Sequence, residues 1–115
     1  MNVLLIEDEF LIRTVIQNYL QRNGHKVTAT AMGKHALKLM AHHSYEFIIS
    51  DLVLHDISGI DIIHEARRLY GEEFTQRHIL VITAFGSNSV TSQLNRLRVK
   101  FLKKPLRAAR NLFFQ

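Results

Sequence analysis

The chain of 115 residues has no cysteine, one proline, five glycines and no acidic residue after Glu73. Without cysteine, neither a disulfide framework nor a thiolate metal site can form, and a reducing, cytoplasmic setting is expected. No apolar run approaches the roughly 18 residues that a membrane-spanning helix needs. The opening Met1 and Asn2, followed by an apolar run, lack a basic region and a small-residue cleavage site, so no signal peptide is expected. Internal repeats, linkers and low-complexity stretches are also missing. A length of 115 residues suits one domain, residues 1–115, and a hydrophobic content of 47% is enough for a core.

The formal net charge is +5, unevenly spread. Residues 1–73 carry ten acids against seven bases, whereas residues 74–115 carry eight bases: Arg77, Arg96, Arg98, Lys100, Lys103, Lys104, Arg107 and Arg110. Two readings follow: a solvated basic surface, or a docking face for an acidic partner. Direct binding of nucleic acid is a weaker reading, because no recognition helix or aromatic stacking platform accompanies the charge.

Apolar runs alternate with segments of helical period. Strands are predicted at Asn2–Ile6, Lys26–Thr30, Phe47–Ser50, His78–Thr83 and Lys100–Leu102. Helices are predicted around Leu11–Leu20, Gly33–Ala41 and Ile60–Leu69, with a weak one over 88–96 and a short last one after Pro105. Strands that alternate with helices imply a five-stranded parallel α/β sheet with helices on both faces. Ligands of such sheets bind beyond the carboxyl ends of the strands.

Those ends are where charge interrupts the apolar pattern. Strand one runs into Glu7, Asp8 and Glu9, strand three into Asp51, strand four into Thr83 and Ala84, and strand five into Lys104 and Pro105. In a parallel sheet these groups meet at one edge. Carboxylates so close raise one another's pKa, and a hard divalent cation with oxygen ligands relieves the repulsion. Mg²⁺ suits a site with few carboxylates, with Mn²⁺ as the alternative. Asp51 could then attack phosphorus as a nucleophile, with Lys104 and the cation balancing phosphoryl charge. Singly, each residue has a plainer role: Asp51 as a polar strand end, Thr83 as a β-former, Phe101 as core. Glu9 suits the positive N-terminus of the following helix better than ligation.

Taken in order, these motifs resemble the receiver domains of response regulators. Glu7-Asp8-Glu9 is similar to the family's acidic cluster after the first strand. Asp51 to Gly59 is similar to its phosphoacceptor loop, usually Asp-x-x-x-Pro-x-x-x-Gly, and Thr83-Ala84 and Lys104-Pro105 resemble its switch Thr and its Lys-Pro pair. The resemblance implies a (βα)5 flavodoxin-like fold with strand order 2-1-3-4-5. It implies that Asp51 is the phosphoacceptor, that Asp8 and Asp51 ligate the metal directly, that Glu7 does so through water and that Val53 offers its backbone carbonyl. Thr83, the Ala84 amide and Lys104 would bind the phosphoryl oxygens, with Thr83 and Phe101 as the switch pair.

The partners implied are a histidine kinase or histidine phosphotransfer protein upstream and an acidic protein surface downstream. The downstream surface would meet the face of helix 88–96, the fifth strand and the last helix; a homodimer is a further expectation. Either a single-domain regulator or the receiver piece of a longer DNA-binding regulator would fit. Apolar Val53 and Phe85, at positions that tune phosphoryl loss in the family, imply a long-lived phosphoryl group. Two positions depart from the pattern. His55 replaces the usual loop proline, which should loosen the loop, and Arg98-Val99 stands where the family often has Gly-Ala. The seven histidines, His42 and His43 included, show no shared helical face, and only His55 lies beside Asp51.

Overall fold

A computed structural model describes residues 1–84 and 88–104. Its elements run β1 (Asn2–Ile6), α1 (Phe10–Arg22), β2 (Lys26–Thr30), α2 (Gly33–His42), β3 (Phe47–Asp51), α3 (Gly59–Tyr70), α4 (Glu72–Arg77), β4 (Ile79–Thr83), α5 (Asn88–Arg96) and β5 (Lys100–Lys103). The five strands form one parallel sheet in the order β2-β1-β3-β4-β5. The expected architecture and strand order are both present. The helix expected after Pro105 lies outside the described residues.

Strand periodicity sorts the core into two layers. Leu4 and Ile6 of β1, Ile48 of β3, and Ile79 and Val81 of β4 face one side, where they pack with Ala36, Met40, Ile62, Ile63 and Leu94 from α2, α3 and α5. Val3, Leu5, Ile49, Leu80 and Ile82 face the other side, against Ile16 and Leu20 of α1. Both sides of the central strands are apolar because both are covered, as a parallel sheet requires.

Local chemistry fixes the helix ends. Ser58 and Asp61 form a capping box at the start of α3. The N-cap position of α2 is Met32, which has no capping side chain. Asp56, from the loop after β3, supplies the cap instead: Oδ1 accepts from Gly33 N (2.9 Å) and Oδ2 from Lys34 N (2.8 Å). These N–H groups, that of Lys34 above all, hold the Asp56 carboxyl below its ordinary pKa. Helices α1 and α5 end in the same Schellman geometry. In α1, Gly24 N donates to Gln21 O and His25 N to Leu20 O; in α5, Arg98 N donates to Asn95 O and Val99 N to Leu94 O. Gly24 takes φ 86 without difficulty, but Arg98 takes φ 57 with a full side chain. The Arg98 departure thus sits at the position where a left-handed residue is needed.

Three strand boundaries differ from the sequence reading. His78 is the C-cap of α4 rather than the first residue of β4, β3 extends to Asp51 and β5 extends to Lys103. Helix α4 itself was not expected. Gly71 (φ 94) ends α3 and turns the chain into this single extra turn and a half, where Thr75 is buried and its hydroxyl donates to Glu72 O.

Candidate functional site

The carboxyl edge of the sheet gathers the charged strand ends. Glu7 follows β1 directly, fully buried, with its N–H donating to Thr30 O and its carbonyl accepting from Arg13. Asp8 is half-buried. Asp51 closes β3, is buried, and accepts from Val53 N at 3.3 Å. One oxygen from each of Glu7, Asp8 and Asp51 can be chosen so that all three lie within 4.8 Å of one another. Thr83 ends β4 next to Asp51's strand, buried, and its carbonyl accepts from Lys104 N at 2.8 Å.

Lys104 reaches across the strand ends. Its Nζ donates to Glu7 Oε1 at 2.7 Å and to Asp51 Oδ2 at 2.9 Å, and Glu9 Oε2 stands 4.0 Å away. Burial opposes the charge on Lys104, but the two carboxylates outweigh it and raise its pKa. Glu7 shows the reverse balance. Burial, and then the proximity of Asp51, push its pKa up to about 8 against the pull of Lys104. Three carboxyl groups therefore share one lysine, and Glu7 Oε2 is buried without a hydrogen-bond partner among the described residues. An orphaned buried oxygen within an excess of negative charge fits a divalent cation with oxygen ligands.

The structure brings together Glu7, Asp8, Asp51 and Lys104, with Thr83 on the neighbouring strand. Ala84 is exposed directly after β4. Val53 is also exposed, in the loop beyond Asp51, and forms an isolated bridge with Ser58. Phe101 is half-buried, and its register opposite Val81 puts it on the α5 face of the sheet. Phe85 and Pro105 lie outside the described residues.

Three contacts were not anticipated. Sequence reading set Lys104 toward a phosphoryl group and Glu7 toward a water-held metal, and it did not pair the two directly. His55 Nε2 lies 3.1 Å from Asp8 Oδ2. The Asp56 cap ties the same loop to α2. The same loop also contains the isolated Val53–Ser58 bridge. Only His55 carried a prior signal, its place beside Asp51.

A doubly wound parallel sheet with an acidic cleft and one half-buried lysine at the carboxyl ends of its strands belongs to the flavodoxin-like class. The chain is narrower than that class: residues 3–112 match the family model of the response regulator receiver domain, and the chain belongs to that family. Over 83 residues it is 35% identical to the transcriptional regulatory protein AfsQ1 of Streptomyces coelicolor, covering 72% of this chain and 35% of AfsQ1. The chain thus spans about a third of the length of that relative. The chemotaxis response regulator CheY4 of Vibrio cholerae superposes with a TM-score of 0.83 at 26% identity, over 96% of this chain and 91% of that one. A response regulator of Burkholderia pseudomallei, solved with a phosphorylated aspartic acid, a calcium ion and citrate, superposes at 0.81 with 28% identity, over 96% and 64%. The chain is a receiver domain of the two-component signalling family. Among the described residues, no helix is long and apolar enough to cross a membrane.

Proposed function

We propose that Asp51 accepts a phosphoryl group from a phosphohistidine on a histidine kinase or histidine phosphotransfer protein. The carrying observation is Lys104 Nζ, held 2.9 Å from Asp51 Oδ2 in a cleft that also contains Asp8 and Glu7. An Asp51 carboxylate oxygen forms the new O–P bond as the donor's P–N bond breaks, and the imidazole departs with the electron pair. Lys104 keeps its positive charge throughout and can move from the carboxylates to a phosphoryl oxygen. The Thr83 hydroxyl and the Ala84 amide, at the end of the adjacent strand, donate to the others. Mg²⁺, held by Asp8, Asp51 and the Val53 carbonyl with Glu7 through water, would neutralise developing charge when bound. The phosphorylated aspartic acid and calcium ion of the Burkholderia relative support this assignment.

Exposed apolar residues support a docking side for the donor on α1. Helix α1 begins immediately after Glu9 and exposes Phe10, Leu11 and Val15 at 67%, 76% and 57%. Contiguous apolar residues at the rim of a cleft suit a protein donor rather than a small metabolite. For output, Thr83 and Phe101 share the α5 side of the sheet, so a Thr83 drawn toward phosphate opens space into which Phe101 can turn. The surrounding surface carries Arg96, Arg98, Lys100 and Lys103, which suits an acidic partner. A receiver segment of a longer DNA-binding regulator is a second reading, favoured by the chain's one-third share of a transcriptional regulator's length.

The test is incubation with acetyl phosphate and Mg²⁺, read by intact mass. Wild type should gain about 80 Da, the mass of one phosphoryl group, and Asp51→Asn should not. A wild-type protein that gains no mass, or an Asp51→Asn variant that gains as much, would refute the assignment.

A further inference from the structure

The turn that joins β1 to α1 carries Glu7, Asp8 and Glu9, and little in its own sequence holds it. Glu9 is the N-cap of α1, yet its side chain accepts no capping hydrogen bond. The turn is tied from outside instead. The Glu7 N–H donates to Thr30 O at 3.1 Å, and Arg13 Nη1 donates to Glu7 O at 2.8 Å. That carbonyl belongs to the peptide bond between Glu7 and Asp8, the two acids that gather with Asp51 at the cleft. Arg13 is fixed for this contact by its helix. Its own N–H closes the first intrahelical bond of α1, to Glu9 O at 2.9 Å, and side chains on a helix lean toward the N-terminus, which aims this one back at the turn. Its guanidinium lies 5.6 Å from the Phe10 ring centroid, a cation–π contact three residues earlier on the same face. Arg13 is half-buried, with a ring on one side and the carbonyl on the other.

We propose that Arg13 is a positioning residue for the cation site: its bond to the carbonyl between Glu7 and Asp8 fixes the angle at which both carboxylates face the cleft. The inference rests on the proposed function, since the ion concerned is the one that these acids would hold with Asp51. Hydrogen bonds that orient metal ligands from outside raise metal affinity, and losing one costs about tenfold or more. The charge of Arg13 works the other way. A cation beside the cleft repels a divalent ion, so removing it would tighten binding if charge were all that mattered. Geometry and charge thus predict opposite signs. A guanidinium suits the role because it stays protonated and spreads its donors over a rigid plane, so that one can face the carbonyl while the group stays against Phe10.

The test titrates Mg²⁺ by calorimetry into wild type, Arg13→Met, Arg13→Lys and Arg22→Met, the last of which removes an equal charge from the far end of α1. Arg13→Met should bind Mg²⁺ about tenfold more weakly than wild type. Arg13→Lys, which keeps the charge and a donor, should fall between the two, and Arg22→Met should stay within about twofold of wild type. Saturating Mg²⁺ should restore phosphoryl gain from acetyl phosphate in Arg13→Met to within about threefold. Before metal is added, the Glu7 amide should exchange with solvent about tenfold faster in Arg13→Met, while the Leu4 and Leu5 amides inside β1 keep their wild-type rates. A merely structural role would lower the thermal midpoint and speed all three amides together, without moving Mg²⁺ affinity. That pattern, or an Arg13→Met protein that binds Mg²⁺ as tightly as wild type or more tightly, would overturn the role of Arg13 and leave the proposed function standing. A wild type that binds no Mg²⁺ and gains no phosphoryl group would overturn both.

Discussion

Replacing Gly59 by alanine should damage stability and phosphorylation together, because this glycine makes room for the strand that carries Asp51. A Cβ at position 59 would lie 2.4 Å from Asp51 O, 2.8 Å from Leu52 Cα and 3.1 Å from Leu52 O, where ordinary contact begins at 3.4 Å. Two of the three obstacles are thus overlaps of more than half an ångström, and all three are backbone atoms that no rotamer change can move. Nor can α3 back away cheaply. Gly59 N donates to Leu52 O at 2.7 Å, the Ser58–Asp61 capping box holds the first turn, and Ile62 and Ile63 are fully buried. Overpacking of this kind costs about 1–3 kcal/mol, and rigid obstacles place it near the top of that range. Alanine returns at most ~1 kcal/mol through helix propensity. A net loss of ~2 kcal/mol corresponds to a melting temperature lower by about 8 °C in a domain of this size. The displaced Asp51 should slow phosphorylation by acetyl phosphate by about tenfold to a hundredfold. Thermal and urea denaturation followed by circular dichroism, with mass spectrometry for the phosphoryl group, read both effects. Gly24→Ala is the control, since its Cβ would meet nothing within 4 Å and its φ of 86 is the sole source of strain, remote from the cleft. A Gly59→Ala protein that melts at or above the wild-type temperature, or phosphorylates at the wild-type rate, would refute this account.

Arg98→Gly should stabilise the domain by about 0.5–1 kcal/mol, the left-handed cost of roughly 1–2 kcal/mol less the backbone entropy that glycine loses; urea midpoints check it, and a destabilised variant would contradict the strain at φ 57. Without added metal, wild-type stability should fall as pH rises from 4.5, the ordinary value for Glu7, through about 8, its value in the fold. Over that window the folded state holds a proton that the unfolded chain has released, so Glu7→Gln should flatten the fall, and parallel urea-midpoint profiles would refute it. Asp56→Ala should lower the melting temperature above pH 3.8 and lose the advantage of wild type as pH drops below that value, because a depressed carboxyl stabilises only while the native state keeps it ionised; an unchanged midpoint at neutral pH would show that the cap on α2 is idle.

What could be read from the sequence was whatever repeats locally or sits at a strand end. The strands were legible because a strand covered on both faces is a continuous apolar run, as in Ile79–Ile82. Glu7 and Asp51 were legible because each is the charged residue that follows such a run, with Asp8 beside Glu7; Lys104 was set apart from Lys103 by its place in a Lys-Pro pair. Helix α4 was not, since six residues are too few to display a 3.6 period, and its inward face amounts to Phe74 and the polar Thr75. The weak reading of 88–96 has the same origin: Leu94 is the one fully buried residue among Ser, Thr and Asn. Asp56 and His55 were illegible as contacts because their partners lie 23 and 47 positions away in the chain, with no spacing rule to connect them.

Those two residues change how the loop after Asp51 must be understood. A proline at position 55 would order the loop locally, by fixing φ, whatever its surroundings. Here the order comes from outside: Asp56 bonds to the first N–H groups of α2, and His55 bonds to the acid that follows β1. Local and long-range restraints differ in what they transmit. A fixed φ is indifferent to the state of the cleft, whereas the His55 bond competes directly with any other use of Asp8 Oδ2. The contacts of His55 and Asp56 thus connect the loop after Asp51 to the acid that follows β1 and to the start of α2.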